Sequence, residues 1–459
     1  MLKLAPKILL IFLIAWLTAN GQTSEKRLTI IGDSLKGKVI NGESIREVIG
    51  NVIITKDDVK ITCNKAIQYI AKNEAILIGN VIIIQDSVTI KTEKGRYYSN
   101  SELTISDTTI YLDKIGMNLI ADKGRYNLST NTAKFYGNII FKDTDTELTS
   151  DSLFYNEANE KLIAIGNVIV SDSTSIVKAD SLVHLRKTKF TNGFGNVQII
   201  SKENDLTIIG EELVDDKGKN VLKVSGNPLL RQIEKLNDNQ FDTLFIQSKT
   251  MEVNSDSSKE LVAKDSVKII RSDFLSINDY TIYNQLEELI TIIRQNEKPA
   301  PILWYENSQM VGDSIYIKLD SSKISSVDII NESILISKDS IYAHRYNQMS
   351  GDSINLSFTE SKLSETKVRG NVLSIYYLYE EGQPNGLLKS SAKEIKILFE
   401  ENKVSDVKMY GEPMSEYHPE NLVKNNEKGF TLPSFMLYDN KPNKNFVREK
   451  YKFQSLMSN

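Results

Sequence analysis

The sequence contains three histidines, His184, His344 and His418, which are the first residues to consider for metal binding or proton transfer. None of them has a second ligand at a spacing typical of metal sites. His184 occupies the position in a repeated unit that Tyr97 and Tyr155 occupy in other units. We therefore interpret His184 as an aromatic residue of the repeat, and we predict neither a metal site nor a catalytic histidine.

Acidic residues recur in the phrase Asp-Ser followed by Leu or Ile, and carboxylates are common catalytic groups. The acids at this place and at related places are Asp151, Asp180, Asp313, Asp339, Asp352, Asp279 and Glu93. A catalytic carboxylate normally occurs once and in one environment, whereas these acids recur in many units. We interpret them as turn formers or as surface residues at the starts of strands.

Other chemical motifs are weak. The segment DTDTELTSD at 143–151 is rich in oxygen ligands, but it has neither the turn glycine nor the terminal glutamate of a calcium loop. The sequence has no G-x-S-x-G motif, no glycine loop for phosphate and no cysteine–histidine pair, because Cys63 is the only cysteine. Cys63 is expected to be a small buried residue. We predict a protein that is not an enzyme and has no cofactor.

A repeat with a period of 29 residues organises the chain. The glycine of Gly-Asn-Val or Gly-Asn-Ile falls at positions 50, 79, 137, 166 and 195, so one unit near 108 lacks its glycine. Weaker copies follow near 225, 263 and 369, and the phrases VGDSIYI and SGDSINL lie 39 residues apart. Such periodicity indicates stacked supersecondary units rather than several unrelated domains.

Each unit reads as short strands with one apolar face. Apolar residues occupy offsets 2, 4 and 11 from the glycine, and the intervening positions are mostly polar, which is the period-two pattern of a half-buried strand. If these positions form an interior groove for lipid, its walls are Val52, Ile54, Ile61, Val81, Ile83, Ile90, Ile139, Phe141, Leu148, Val168, Val170 and Val177. The sequence predicts an all-β fold, with glycine and asparagine at a bend or bulge.

Two architectures fit three strands in 29 residues. One is a parallel β-helix, in which the asparagines after each glycine would stack in a ladder. The other is an elongated trough of antiparallel strands, V-shaped or like a jelly roll. The polar turns of three to five residues between the first two strands favour hairpins, and hence the antiparallel trough.

The N-terminus predicts export. The segment MLKLAPKILLIFLIAWLTANGQ has a basic start, an apolar run from Ile8 to Leu17 and small residues at Ala19 and Gly21, which is the layout of a signal peptide cleaved after residue 21. An uncleaved anchor is the alternative, although ten apolar residues are short for a bilayer span. The net charge of −4 gives no basic face for nucleic acid.

The repeats resemble the OstA-like, or LptA-type, family of lipopolysaccharide transport. The segments GNVIIIQDSVTIKTEKGRYYSNSELTISD and GNIIFKDTDTELTSDSLFYNEANEKLIAIGNV carry the family's order of Gly-Asn-Val, alternating strand, small residue with acid, tyrosine, turn and apolar strand. The resemblance is strong over 45–228 and patchy to 415. It implies a β-jelly-roll trough whose apolar interior holds the acyl chains of lipopolysaccharide, or a related glycolipid, in the periplasm.

The resemblance also suggests an organisation. We expect a signal peptide at 1–21, a first OstA-like trough at 22–228, a more divergent second one at 229–415, and an irregular tail at 416–459 that contains three of the nine prolines. The chain is longer than a minimal bridge protein of the family. We predict a periplasmic conduit or bridge associated with the outer membrane. Its partners would be other OstA-like proteins or a second copy, joined head to tail through strand edges, and the edge near 28–55 is the better candidate.

A different class of protein also fits the repeat. A non-enzymatic surface or structural β-repeat protein, similar to a β-helix, would seal its apolar residues in a closed core. It would bind glycans or proteins on its outside. Copurifying lipid would distinguish the conduit from this alternative.

Overall fold

The computed structural model describes residues 29–443, except 238–239, 255–258, 361 and 402. The predicted signal peptide lies outside the described residues. Up to residue 225 the strands are β1 (Thr29–Ile31), β2 (Ser34–Ile40), β3 (Glu43–Lys56), β4 (Val59–Tyr69), β5 (Glu74–Gln85), β6 (Val88–Tyr98), β7 (Leu103–Ser106), β8 (Ile110–Lys114), β9 (Met117–Ala121), β10 (Lys123–Asn127), β11 (Thr132–Asp143), β12 (Glu147–Asn156), β13 (Lys161–Ser171), β14 (Ser175–Leu185), β15 (Phe190–Ser201), β16 (Leu206–Asp216) and β17 (Val221–Ser225).

The later strands are β18 (Leu229–Asn237), β19 (Gln240–Gln247), β20 (Thr250–Asn254), β21 (Glu260–Ile270), β22 (Phe274–Asn284), β23 (Leu289–Ile293), β24 (Ile302–Tyr305), β25 (Ser308–Val311), β26 (Ser314–Asp320), β27 (Lys323–Lys338), β28 (Tyr346–Thr359), β29 (Lys362–Glu380), β30 (Gln383–Glu400), β31 (Lys403–Tyr410) and β32 (Met414–His418). One helical turn, α1 (Glu420–Val423), follows them, and 3₁₀ turns occur at Ile70–Lys72 and Glu427–Gly429. In the described part of the chain, no helix is long and apolar enough to cross a membrane.

The strands form one continuous antiparallel ladder. Each long strand pairs with the next one along the chain, as β11 to β16 show, and short strands such as β9 and β10 together take the place of one long strand. Polar hairpin turns make this arrangement local in sequence. The predicted all-β antiparallel fold is confirmed, and the parallel β-helix is wrong for the described strands.

A bulge bends most of the long strands in the middle. In β13, Ile165 pairs with Ser181 and Val168 pairs with Ala179, so two residues face one at the bulge. Those two residues are Gly166 and Asn167, with φ of 81° and 46°. Positive φ is easy for glycine and tolerable for asparagine, which explains the repeated dipeptide. The bulge divides the sheet into two walls. Residues 161–165 of β13 and the strand segments paired beside them form the first wall, and residues 168–171 and the segments paired beside them form the second wall.

The repeated acids have a role that the sequence did not reveal. Asp151 and Asp180 lie opposite a bulge in the neighbouring strand, and their carboxylates accept hydrogen bonds from the amides of Asn167 (3.0 Å) and Asn196 (2.9 Å). Asp33 and Asp122 do the same for Asn51 and Asn138, at 3.0 and 2.8 Å. The interpretation of Asp151 and Asp180 as turn formers is therefore wrong, although both are exposed. These four asparagines bind acids and do not stack on one another in a ladder.

Other repeated acids fall at different places. Asp339 accepts hydrogen bonds from the backbone amides of Ile341 (2.8 Å) and Tyr342 (2.7 Å), so this residue does form a turn. Asp313 pairs with Arg294 at 3.0 Å. The same Asp-Ser-Leu or Asp-Ser-Ile sequence thus has several structural roles, because the register of strand pairing decides which residue each aspartate faces.

The core lies between the two walls and consists of two long clusters of buried residues. One cluster runs from Val48 to Leu182, and the other runs from Ala179 to Ile397. Strands on either side of residue 228 pair directly, because β16 is bonded to β18. The ladder is therefore continuous at the predicted boundary 228/229, and the division into two domains stays a prediction.

The tail folds back over the outer face of the second wall. Gln348 accepts a hydrogen bond from the backbone amide of Leu432 (2.8 Å), and Gln309 accepts one from that of Tyr438 (2.9 Å). Val423 and Leu432 are buried against this face. Within its described residues the tail therefore packs on the face of the second wall, and β31 and β32 form the C-terminal edge of the ladder. Among the described strands, β31 and β32 pair only with β30, so this edge is as unpaired as that of β2.

Candidate functional site

An apolar cavity of about 590 Å³ opens between the two walls near the middle of the chain. The second wall contributes Phe141, Leu148, Val170, Val177, Ile199, Leu206 and Ile208, and the first wall contributes Leu162, Leu182, Leu213, Leu222, Val253 and Leu261. These residues come from consecutive strands on the inner faces of both walls. They form a continuous apolar lining at the place where the two core clusters meet.

Charged and polar side chains surround the opening of this cavity. They lie near the hairpin turns, where the two walls approach each other, and this open edge of the sandwich is called here the mouth. The rim residues include Asp143, Asp172, Ser175, His184, Arg186, Glu203, Asp215, Lys217 and Lys259. The cavity is thus apolar inside and polar at its entrance, which matches an amphiphilic molecule.

The predicted groove residues fall into two groups. Phe141, Leu148, Val170 and Val177 line the cavity. The other eight lie in the packed core with at most 4% of their surface exposed: Val52, Ile54, Ile61, Val81, Ile83, Ile90, Ile139 and Val168. The structure brings the twelve onto the same inner surface, but only the first four border open space. Lipid contact at any of them stays a prediction.

A row of aromatic residues explains why the interior between the walls is filled on the N-terminal side of the cavity. Positions spaced by 29 residues on the first wall are Tyr97, Tyr126, Tyr155, His184 and Leu213. Tyr97 and Tyr126 are 1% and 4% exposed. Burial raises the pKa of both phenols to about 12, so they stay neutral. Where the row changes to smaller side chains, the two walls leave space between them.

His184 lies in the lining of the cavity. Its Nδ1 lies 2.9 Å from the hydroxyl of Thr191 in the next strand. Burial, together with the positive charge of Arg186, lowers the pKa of the imidazole. The ring is therefore neutral over a wider pH range than a free histidine. Its interpretation as the aromatic position of the repeat agrees with this placement.

Side-chain bridges connect the two walls across the mouth. Lys56 Nζ lies 2.8 Å from Glu102 Oε1 and donates to the backbone oxygen of Ser99, 43 residues away. Lys114 pairs with Glu157 and Asp143 pairs with Arg186, again 43 residues apart in each case. The Asp143–Arg186 distance is 2.8 Å. The spacing follows from the geometry of the ladder, because one and a half repeats separate facing positions on opposite walls.

The divergent half contains two features that sequence reasoning missed. One is a second apolar cavity of about 610 Å³, with Met310, Leu335, Leu356, Phe358, Leu378 and Phe399 among its lining residues. The other is a buried ionic cluster around Arg271. The repeat spacing drifts in this half, so the 29-residue register that identifies inward positions earlier in the chain no longer applies.

The Arg271 cluster lies in the ladder between the strands that line the two cavities. The side chain of Arg271 is 1% exposed, and its Nε lies 3.1 Å from Asp242 while Nη2 lies 3.4 Å from Glu234. Arg271 also donates to the backbone oxygen of Ser322 on the opposite wall. Burial raises the pKa of Glu234 to about 7, although the charge of Arg271 opposes this shift. The cluster fills the mouth with charged groups that have little contact with water.

Metal chemistry finds no support in the described residues, which contain no group of three or more histidine, cysteine, aspartate or glutamate side chains placed to hold an ion. Cys63 is buried and free, as expected, and burial raises the pKa of its thiol. Such a thiol is a poor nucleophile. The arrangement offers apolar space below a charged rim.

Comparisons with known proteins agree with the sequence repeats. Residues 28–164 match the family described as OstA-like protein. No curated protein matches the chain. A solved structure of LptH from Pseudomonas aeruginosa, described as the LptA homologous periplasmic component of the conserved lipopolysaccharide transport device, is 16% identical and has a TM-score of 0.26; the match covers 29% of this chain and 94% of LptH. Residues 28–164 are therefore similar to the OstA-like family, and this similarity covers less than half of the chain.

Proposed function

We propose that the protein is a periplasmic conduit or bridge that carries lipopolysaccharide, or a related glycolipid, toward the outer membrane. The OstA-like repeats over 28–164 support this assignment. The observation that carries it is the cavity of about 590 Å³, which has an apolar lining below a charged rim. Acyl chains suit the lining, and a sugar or phosphate headgroup suits the rim.

The size and chemistry of the cavity fit a cargo that must be released again. Its volume falls within the roughly 300–1,000 Å³ of typical ligand pockets. Each buried methylene contributes about 0.8 kcal/mol, which is similar to what the same methylene gains in a bilayer. Transfer from membrane to cavity is therefore nearly balanced, and a chain bound in this way can move on.

Location and partners follow from the same proposal. The predicted signal peptide would deliver the chain to the periplasm. The unpaired edges of β2 at one end and of β31 and β32 at the other could accept a strand from another OstA-like protein or from a second copy. The proposed role is transport and not catalysis, and it requires no cofactor and no nucleic acid.

A structural or adhesive repeat protein remains the second candidate, because one observation favours it. Tyr136, Ile165 and Phe194 point outward and are 37%, 55% and 43% exposed, and they fall in one row of cross-strand neighbours. An outward apolar row suits a protein ligand on the outside of the sandwich. The closed core around Val52 and Ile83 is also what this candidate predicts.

Photo-crosslinking in the periplasm tests the two candidates. A photoreactive residue at Phe141, Val170 or Val177 should capture lipopolysaccharide, because these side chains border the cavity. The control positions are Lys60, Thr89 and Glu147, which alternate to the opposite face of their strands and should capture none. Equal labelling of both sets, or no lipid at any position, would contradict the conduit. Protein adducts at Ile165 without lipid adducts at Val177 would favour the adhesive role.

A further inference from the structure

The bridges across the mouth are interrupted beside the cavity of about 590 Å³. The last bridge before the gap is Asp143–Arg186, and the next is Glu203–Lys259, at 3.6 Å. Between them, among the residues that the structure describes, neither an ion pair nor a side-chain hydrogen bond crosses from one wall to the other. This stretch of the mouth, with Asp172 and Ser175 on the second wall and Asp215 and Lys217 on the first, is called here the side port.

The charges at the side port explain why no bridge forms there. Asp172 occupies the place in the repeat that Lys56, Lys114 and Asp143 occupy in earlier units, and the residue 43 positions later is Asp215. Two carboxylates repel each other, so this pair cannot close the mouth.

Asp172 and Asp215 also make their polar contacts within their own walls. Asp172 accepts hydrogen bonds from the backbone amides of Thr174 (2.8 Å) and Ser175 (2.7 Å). Asp215 lies 3.3 Å from Lys217, and its Oδ1 has no hydrogen-bond partner among the described residues. Each acid is therefore held on its own side of the opening.

Routes along the length of the sandwich are less open. Toward the N-terminus, inward residues such as Leu77, Val81 and Leu119 are packed with at most 4% exposure, and the tyrosine row fills the space beneath the bridges. Toward the C-terminus, Arg271 reaches Ser322 on the opposite wall and Ile269 and Phe274 are fully packed. The cavity is thus closed at both ends and open at its side.

We propose that the acyl part of an amphiphile enters and leaves this cavity through the side port, not by sliding along the full length of the trough. The inference rests on the proposed function, and it adds the route. Ser175, Asp215 and Lys217 can bind hydroxyl, amine or phosphate groups of the headgroup at the rim while the acyl chains lie inside. Loading then does not require the closed N-terminal core to open.

Installing the missing bridge tests the route. In Asp215→Arg, the new guanidinium faces Asp172 at the same spacing as Arg186 faces Asp143, so the side port should close. We expect the rate of uptake of fluorescently labelled lipopolysaccharide, followed by photo-crosslinking at Val177, to fall at least tenfold. Raising the salt concentration should restore part of the rate, since an exposed ion pair is screened. The control Glu212→Arg makes the same change in charge on the outer face of the same strand, away from the cavity lining, and should stay within twofold of the natural chain.

A second way to close the side port keeps the test valid if Asp215→Arg does not fold. Cysteines at Ser175 and Lys217 can be joined by a bismaleimide, and Cys63 should not compete because it is buried. The joined protein should lose uptake. A matched pair at Lys114 and Glu157, joined in the same way, spans a part of the mouth that is already bridged and should not change uptake.

The outcomes separate the route from the function. If lipopolysaccharide labels Val177 at an unchanged rate after both closures, the side port is wrong while the conduit stands. If the natural chain takes up no labelled lipopolysaccharide at all, the proposed function fails first. Loss of uptake with the Ser175–Lys217 link and not with the Lys114–Glu157 link supports the side port.

Discussion

The amide nitrogen of Asn167 donates a hydrogen bond of 3.0 Å to the carboxylate of Asp151 on the preceding strand. Gly166, next to this asparagine, has φ of 81°, and a Cβ at that position would collide with the Asp151 carboxylate. The contact therefore holds together the bulge at which the strand passes from one wall to the other. The same three residue types recur at Gly137, Asn138 and Asp122.

This relationship predicts that the glycine of the bulge cannot be replaced cheaply. Gly166→Ala should lower the free energy of unfolding by more than about 2 kcal/mol, because backbone strain and a collision add together. Gly116 also has positive φ (75°) but has open space around it. Gly116→Ala should therefore cost about 1 kcal/mol, from strain alone. Urea unfolding of both variants checks the difference, and equal losses would show that the Asp151 contact is unimportant.

Two valines on one strand test where the interior is open. Val168 is 1% exposed in the core, whereas Val170, two residues later on the same face, lines the cavity. Val168→Phe should cost about 1–3 kcal/mol through overpacking. Val170→Phe should cost less than about 1 kcal/mol because its ring can occupy the cavity, and it should reduce lipid capture at Val177. Similar losses of stability in both variants would mean that the cavity is not open at Val170.

The bridge next to the side port should affect access more than stability. The side chains of Arg186 and Asp143 are 31% and 25% exposed, so their ion pair contributes at most about 1 kcal/mol. Arg186→Ala should leave the urea midpoint nearly unchanged. It should also speed maleimide labelling of a cysteine placed at Phe141 severalfold, with the same cysteine in the natural background as control. Unchanged labelling would mean that Arg186 does not limit access.

Glu234 should make the free energy of unfolding of the protein depend on pH. Its pKa is raised from 4.5 to about 7 by burial, so the folded state binds the proton more tightly than the unfolded chain. The stabilising effect of this group is full below pH 4.5 and is lost as the pH rises through 7. Between pH 4.5 and a pH above 7, the free energy of unfolding of the natural chain should fall by up to about 3 kcal/mol relative to that of Glu234→Gln. Parallel urea titrations at pH 4.5, 6 and 8 measure this, and a constant difference would contradict the shift.

The strand patterning and the similarity of the repeats to the OstA-like family were accessible from the sequence because both depend on local spacing. The alternation around Val52 and Val81 identifies strands, and the Gly-Asn dipeptide marks each bend, since positive φ restricts the choice of residue there. The role of Asp151 was not accessible. Its partner Asn167 is 16 residues away, and only the register of the ladder shows that the two face each other.

The position at which the closed core gives way to the cavity depends on residues even farther apart in the sequence. It depends on the change from tyrosine to His184 and Leu213 in one row, together with bridges between residues 43 positions apart. The Arg271 cluster joins residues 234, 242 and 322, which share no repeat spacing. Such features require the walls to be placed against each other before they can be recognised.

The single ladder has a consequence for how the chain can fold while it is being synthesised. The long strands from β12 to β16 each pair with the strand before them along the chain, and elsewhere at most two strands lie between described partners, as between β17 and β20. Hairpins can therefore add to a growing end as the polypeptide appears, in the manner of a one-dimensional array. The same property makes length adjustable: inserting or deleting a whole pair of strands changes the span without changing any connection.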